Sequence, residues 1–463
     1  MRNIRKYIHL FVALLSVVLF GACTFEQENL FDESASLRVN HFNEDLKERL
    51  VAQSTNGNYG WEIQYFVAGT GYQDFEGFTL YGSFTETGKV TLASNHRYLR
   101  NGNAGKYTEA TSTYEMLAEE GPMIAFNTWN DVLTVFVDPV DPSYAPDNIV
   151  SNGEGMNGDH NLVFVRYEGN NIIFRGQRHA AEVRFVPCDR PWAQHLTDIA
   201  TMKKSITSST LNTYYLTDGK DTMYIDGLNE GVFSIVDRLE DPLLDLTRNC
   251  LFTSSGIRLS YKQSFGDHEY QEFSISDDKS RLLSEDGSVQ IIAMWDTYIT
   301  DSKSLYRIDP SGFTAEQAAL YTQMQAEVKK VNASFGLDSL AIGRISSEQA
   351  DGTSAFMPGL ILCIHGKKNM MGLTPQYYPY FDVNIDRTEF GVMKLSESSV
   401  TAPNTYMTMF DATNLKSLCK QFAESLYGTY DIVPNDYFRP TDATLNRQDG
   451  GNTLKLFLSA IKD

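Results

Sequence analysis

The spacing of apolar residues changes along this chain, and each change marks an element. From residue 35 to 53, Phe42, Leu46 and Leu50 recur every fourth position, with Ser34 placed to cap the first turn. That spacing predicts a helix, which Asn56-Gly57-Asn58 ends. The period then falls to two. Residues 61–65 alternate, 78–84 return through Glu86-Thr87-Gly88 into Val90-Thr91-Leu92, and 113–117 form a further strand. After the Gly121-Pro122 turn, residues 123–126 and 132–136 are expected to continue the sheet. Residues 138–160 are rich in Pro, Gly, Asp and Asn without periodicity, which predicts a loop long enough to be functional or mobile. Residues 162–165 and 172–174 then pair around Gly169-Asn170.

The second half repeats these themes. Leu196, Ile199 and Met202 share one face of a predicted helix over 192–208. Residues 214–216 and 223–225 flank Asp218-Gly219, and 250–252 and 257–259 flank Ser255-Gly256, as hairpin arms flank a turn. Residues 264–288 read as polar and turn-rich, and 289–295 as a buried strand. Helices are predicted over 314–331 and 415–426, and strands over 360–364, 380–385, 429–433 and 454–458. The expected fold is α+β and β-dominated: antiparallel sheets and meanders with about four helices, in two or three consecutive units. The expected divisions are 31–190, 191–310 and 311–463. Phe84-x-x-x-Gly88 and Phe252-x-x-x-Gly256 echo one another, and Glu389-Phe390-Gly391 resembles the same turn. A helix-then-meander unit used several times would explain this, as would the commonness of glycine turns in hairpins.

The first twenty-three residues follow neither period. Arg2, Arg5 and Lys6 precede an apolar run from Ile8 to Phe20, and Gly21-Ala22-Cys23 closes it. That is a secretory signal whose apolar run is too short for a comfortable bilayer span. A cysteine after two small residues predicts a lipoprotein signal over residues 1–22. Cys23 would then be the lipidated first residue of the mature chain, and 23–30 a short acidic tether. Loss of residues 1–22 removes three positive charges and no acid, taking the net charge from −20 to −23. Such a surface repels phosphate backbones, so nucleic acid is excluded as a partner. It also disfavours flat contact with anionic lipid, which leaves the acyl chains on Cys23 as the membrane link. Hydrophobic residues at 42% and aromatics at 12% suffice for a sizeable core, which excludes a disordered chain. Cys188, Cys250, Cys363 and Cys419 stand apart without a CxxC, and are read as buried free thiols in preference to disulfides.

No HExxH, GxSxG or GxxxxGK[ST] motif is present. The eight histidines are scattered, and the ligand types gathered in residues 268–272 read as a solvated polar loop or edge strand. Residues 382–386 open like a calcium loop, but Arg387 stands where glycine is required and Met393 where a bidentate glutamate is. Asp138, Asp141, Asp147, Glu154 and Asp159 in the long loop can be read as a calcium site or, preferably, as a solvated acidic loop. Two S-x-x-K matches, at Ser276 and Ser417, lack the partner motifs that chemistry needs. No catalytic residue, metal site or cofactor is therefore assigned. The candidates for ligand binding are aromatic. Tyr377, Tyr378 and Tyr380 lie around prolines in residues 375–381, and Trp129 sits at a turn. Such rings either offer platforms to glycan or peptide, or fill core.

Several marks together resemble a family of Bacteroidota lipoproteins of unknown function. They are residues 31–38 after Cys23, Gly60-Trp61, Thr113-Tyr114, Gly121-Pro122, Phe126-Asn127-Thr128-Trp129-Asn130 and Asp138-Pro139. The likeness covers roughly residues 23–300 and is clearest in the first 180. It implies genes beside SusC/SusD-like outer-membrane importers, often with a zinc metallohydrolase lipoprotein. It therefore implies a surface or periplasm-facing accessory of nutrient uptake, with no catalytic residues to carry over. The usual acidic export tag is only partly present, as Glu26 and Glu28. The expectation is an outer-membrane-anchored, non-catalytic lipoprotein that binds or presents a nutrient with a SusC/SusD-like importer. The alternative is a lipid-anchored hydrolase acting on glycan or peptide. A third possibility is a structural subunit. Carboxylates or a His-carboxylate set converging on a cleft floor would favour the hydrolase, and an aromatic-lined groove without one the binding protein.

Overall fold

A computed structural model describes residues 33–68, 75–119, 121–137, 156–301, 305–348, 354–368, 373–398 and 405–458. The signal, Cys23, the tether and most of the loop expected at 138–160 lie outside the described residues. The chain divides into two compact units, one of residues 1–68 and 80–190, the other of 69–79 and 191–463. Antiparallel strand dominates both. Among the described residues, no helix is long and apolar enough to cross a membrane.

The first unit opens with helix α1 (Ala35–Ala52), capped by the Ser34 hydroxyl, which accepts the Leu37 N–H at 3.3 Å. Leu46 and Leu50 are fully buried one turn apart. The Leu50 carbonyl, near the end where helices lack internal donors, accepts the Trp61 indole N–H at 3.1 Å. Eight strands follow: β1 (Trp61–Phe66), β2 (Phe78–Phe84), β3 (Lys89–Ser94), β4 (Thr108–Leu117), β5 (Met123–Phe126), β6 (Asn161–Glu168), β7 (Asn171–Gly176) and β8 (Glu182–Pro187). Each pairs with the next, and β1 closes on β8 with Trp61 opposite Pro187, so the meander is a closed barrel without edges. Gly60 holds a left-handed φ of +70° beside Trp61, and a Cβ there would collide with the Gly82 carbonyl.

One expected strand is absent. Residues 132–136 form a turn and a 3-10 helix (Thr134–Phe136). Their apolar side chains are buried, but the backbone is diverted into the turn by Asn130. Its side-chain oxygen accepts the Val132 N–H at 3.0 Å and its carbonyl accepts the Thr134 N–H at 2.8 Å. A short apolar run means burial, and periodicity alone cannot tell a strand from a buried turn. Phe136 packs on Tyr65, with ring centroids 5.4 Å apart, and on His96 at 4.8 Å.

His96 is itself a pH-sensitive part of this core. Its Nε2–H donates to the Val132 carbonyl at 3.0 Å and its Nδ1 accepts the Tyr98 N–H at 3.2 Å, which suits the neutral ring. Burial pushes its pKa down to about 4 from 6.5. The unfolded chain therefore binds the extra proton first as pH falls. Stability from this group is complete above about pH 6.5 and is lost between there and about pH 4, by at most about 3 kcal/mol. Urea titrations of the wild type and His96→Gln across that window should show a shallower slope in the variant. Equal slopes would refute the assignment.

The second unit begins with helix α2 (Trp192–Ile206) and a second closed barrel. Its strands are β9 (Thr213–Thr217), β10 (Thr222–Asp226), β11 (Val232–Val236), β12 (Asp245–Phe252), β13 (Gly256–Phe265), β14 (His268–Ile275), β15 (Leu282–Ser284) and β16 (Gln290–Ala293), with β9 joined to both β10 and β16. The stretch 264–288, expected to be turns, contributes β14 and β15. Their polar residues occupy the outer wall while Tyr270, Phe273 and Leu282 fill the inside. The buried run expected at 289–295 ends as a strand at Ala293, and helix α3 (Trp295–Asp301) starts immediately after.

Nine more strands complete this unit: β17 (Leu305–Ile308), β18 (Gly336–Glu348), β19 (Ser354–His365), β20 (Gln376–Tyr377), β21 (Tyr380–Glu389), β22 (Val392–Glu397), β23 (Gly428–Pro434), β24 (Asp442–Arg447) and β25 (Leu454–Phe457). Their order is β18-β17-β25-β24-β23-β22-β21-β19-β20, and a further β18–β19 ladder joins the first strand of that order to the last but one. All but β20 therefore lie on a third closed cycle of hydrogen-bonded strands. Helices α4 (Ala315–Val331), α5 (Thr405–Thr408) and α6 (Leu415–Leu426) are inserted between strands. Thr314 and Gln317 form a reciprocal capping box on α4. Leu415, Leu418, Cys419, Phe422 and Leu426 make one buried stripe of α6, and Cys419 meets Met324 of α4 at 3.8 Å. One hydrophobic cluster runs through the second barrel, the third cycle and these helices. A helix followed by an eight-stranded closed meander thus occurs twice. The two glycine-turn echoes are not counterparts within it, joining β2 to β3 in one barrel and β12 to β13 in the other.

Candidate functional site

Alternation in β9 sets the site. Tyr214 and Leu216 are fully buried, while Tyr215 and Thr217 take the opposite face. Barrel pairing places Tyr215 between Tyr224 of β10 and Ile292 of β16, and Thr217 opposite Thr222. A wall of two tyrosines, an isoleucine and two threonines results. Met294 and Thr297 extend it at the start of α3, Leu239 and Glu240 stand on the β11–β12 loop, Arg387 comes from the end of β21 and Phe390 from the β21–β22 turn. Together these residues line a cleft of about 550 Å³, within the usual range for a small-molecule site.

Its polar groups are organised from beneath. Asp296 is wholly buried, and its carboxylate accepts the Arg387 Nε–H at 2.6 Å and the Gly391 N–H at 3.3 Å. The Arg387 Nη2 donates to the Tyr215 hydroxyl at 3.1 Å, which in turn lies 3.0 Å from the Thr297 hydroxyl. Burial pushes the Tyr215 phenol up, so it remains a neutral hydroxyl. Phe390 meets Tyr215 edge to face at 5.8 Å and Trp295 at 5.3 Å, and Tyr224 lies 5.8 Å from Tyr215 at an interplanar angle of 53°. The rings form a corner rather than a flat stack. Asp237 holds the β11–β12 loop by accepting the Leu243 and Leu244 N–H groups at 3.0 and 3.1 Å. Those bonds hold its carboxyl below the usual range.

The arrangement offers aromatic faces, hydroxyls and one neutralised guanidinium. Among the described residues, Glu240 is the one carboxylate of the lining, and no histidine joins it. Among the described residues, no three metal-ligating side chains gather. His365 and Asp338 form a half-exposed pair at 2.6 Å on β19 and β18, but neither lines the cleft. Rings and hydroxyls of this kind can contact and orient a small ligand.

The residues singled out from sequence lie elsewhere. Trp129 is 50% exposed in the first unit, where its indole N–H donates to Asp131 at 2.6 Å and the Arg100 guanidinium covers its ring at 4.5 Å. Tyr380 is 6% exposed and, with Ala341, Ile361 and Cys363, forms a small second core against which Tyr378 packs. Tyr377 lies against Phe335, with centroids 5.4 Å apart. None of the four lines the cleft. Cys23 lies outside the described residues. Cys188, Cys250, Cys363 and Cys419 are buried free thiols, and burial pushes Cys250 and Cys419 up to about 12. Residues 268–272 lie in β14, where they pair with β13, while the ladder to β15 begins at Phe273. Of the loop acids, Asp159 is described, and it is not a solvated acid. It is 3% exposed and accepts the backbone N–H groups of Arg178, His179 and Ala181 at 2.8–3.2 Å.

Tyr215, Tyr224 and Arg387 were not singled out from sequence. The available signal was the Asp218-Gly219 turn. Tyr215 and Tyr224 lie on its two arms, and tyrosine at both outward positions of a barrel hairpin is an apolar excess on a wall that is usually polar.

Fold and site define a chain of closed antiparallel β-barrels with an aromatic cleft on one outer barrel wall. The chain belongs to the DUF4302 family, described as a domain of unknown function, which matches residues 27–277. That stretch includes Tyr215, Tyr224 and Leu239 but stops short of Thr297, Arg387 and Phe390. No curated protein matches the chain. Among solved structures, the DNA polymerase III subunit beta from Pseudomonas aeruginosa aligns over 91% of this chain and 98% of its own, at 8% identity and a TM-score of 0.12. A score that low carries no likeness of fold.

Proposed function

We propose that this chain is a lipid-anchored, non-catalytic binding component of nutrient uptake, and that its ligand is held in the cleft on β10-β9-β16. The observation that carries this reading is the lining itself: among the described residues, three aromatic rings, three threonines and one glutamate beside an Arg387 whose charge Asp296 already satisfies. Such a site orients a ligand and lacks the paired groups that proton transfer requires. The signal pattern ending at Cys23 supports anchorage by acyl chains, and the acidic surface supports a membrane link through those chains rather than by adsorption. The resemblance to Bacteroidota lipoproteins supports an outer-membrane location beside a SusC/SusD-like importer.

The test is purification of the native lipidated protein from detergent-solubilised outer membranes, followed by mass spectrometry. Stoichiometric recovery of a SusC/SusD-like pair is expected, and its loss from the membrane fraction in Cys23→Ala. Recovery of the protein alone would remove the importer from the reading. Retention of Cys23→Ala in the membrane would overturn the anchor.

A further inference from the structure

We infer that the cleft takes an uncharged, hydroxyl-rich ring compound, a short neutral glycan, in preference to a peptide or an acidic sugar. This rests on the cleft being a binding site, and adds the class of ligand.

Charge gives the first argument. Arg387 lines the cleft with its side chain about one-third exposed, and such a guanidinium would ordinarily call for a carboxylate or phosphate. Here Asp296 occupies that role at 2.6 Å, from a position without solvent exposure, and accepts Gly391 N–H as well. The pair is neutral. Glu240 stands on the lining and the chain carries a net −20, so an anionic ligand meets repulsion and no unsatisfied cation.

Shape gives the second. A pyranose presents a flat face of C–H groups and a rim of hydroxyls. Tyr224 and Phe390, set at 53° and 80° to Tyr215, offer faces on two sides of a corner. Thr217, Thr222 and Thr297 also line the cleft, the Thr222 hydroxyl donating to that of Thr217 at 3.3 Å and the Thr297 hydroxyl lying 3.0 Å from that of Tyr215. Hydroxyls both donate and accept, which suits a ligand whose own groups do the same.

Topology gives the third. Peptides are commonly held by adding a strand to an exposed sheet edge. Every strand of this wall is paired on both sides: β9 with β10 and β16, β10 with β11, and β16 with β15. The central strand β9 therefore has no open side for an incoming chain.

The experiment is binding of the full-length lipidated protein, in detergent, to an array of neutral oligosaccharides, uronate-containing oligosaccharides and short peptides, followed by calorimetry on the strongest binder. Neutral oligosaccharides are expected to bind. Phe390→Ala should weaken binding about tenfold, the scale of one lost aromatic contact. Phe390 is 46% exposed on a turn, so folding survives its loss; Tyr224→Phe, which keeps the ring, should retain most of the affinity. Preference for uronates or for peptides would overturn the ligand class and leave a binding protein. Cleavage of any arrayed compound would overturn both this inference and the non-catalytic reading. Neutral-glycan binding unchanged in Phe390→Ala would place the site elsewhere and overturn the inference.

Discussion

Asp159→Ala should cost the first unit about 4 kcal/mol, a large part of the 5–15 kcal/mol that holds a typical domain together. The carboxylate is 3% exposed and gathers three backbone N–H groups: Arg178 at 2.8 Å, His179 at 3.1 Å and Ala181 at 3.2 Å. It thereby holds the β7–β8 turn, in which Ala180 sits at a left-handed φ of +58° that alanine adopts only under constraint. The fit is tight, since a Cβ on Gly176 would collide with the same carboxylate. Tyr65 adds a second tie, its hydroxyl donating to the Asp159 carbonyl at 2.8 Å. Removing the carboxylate leaves the three donors without partners in a site with little room for water. Asp159→Asn keeps one acceptor oxygen and should lose about half as much. Urea unfolding of both variants measures this directly. A loss below about 1 kcal/mol for the alanine variant would mean that the turn holds without its clamp.

The second large effect is expected at Arg387. Its replacement by methionine preserves length and leaves the wholly buried Asp296 without its cation, which should cost about 3 kcal/mol. The cost arises from the stranded carboxylate. It should therefore shrink when Asp296→Asn is made in the same chain, with a coupling of at least about 1 kcal/mol. Strictly additive single effects in the double-mutant cycle would show that the two groups do not depend on each other. The cycle also separates stability from recognition. If the pair serves to keep the cleft uncharged, the double variant should regain stability while Tyr215 loses the donor that orients its hydroxyl.

How much of this was legible in the sequence depends on range. Elements that declare themselves locally were readable. The stripe of Leu415, Leu418, Phe422 and Leu426 predicts α6 as it stands, and the Asp218-Gly219 turn predicts the β9–β10 hairpin. Residues 132–136 were misread because apolarity reports burial and not backbone shape, and the Asn130 side chain decides the shape. Strand β14 read only as a polar loop or edge strand, and β15 not at all, for the converse reason. A barrel wall needs one apolar face, and Tyr270, Phe273 and Leu282 supply it at intervals that polar neighbours obscure. The cleft was the least legible feature. Tyr215 and Tyr224 are joined by a hairpin, but Ile292 reaches them only through barrel closure, and Arg387 pairs with an aspartate 91 residues earlier. No window along the chain contains that set. Aromatic density favoured residues 375–381, where Tyr380 serves the core.

The seam of the third cycle has a consequence for how the protein is made. Among the described residues, strand β17 pairs with β25 through Arg307–Phe457 and Ile308–Leu456, with the Asp309 N–H donating to the Lys455 carbonyl just beyond, so a short ladder joins segments far apart in sequence. Contacts of such long separation form late and slowly in folding. Until β25 has emerged and docked, β17 and β24 each present an open backbone edge, the surface on which chains mispair. A polypeptide cut short before Leu454 would keep both barrels and lose this closure permanently. Loss of β25 would therefore expose on one ring the two edges that its presence covers.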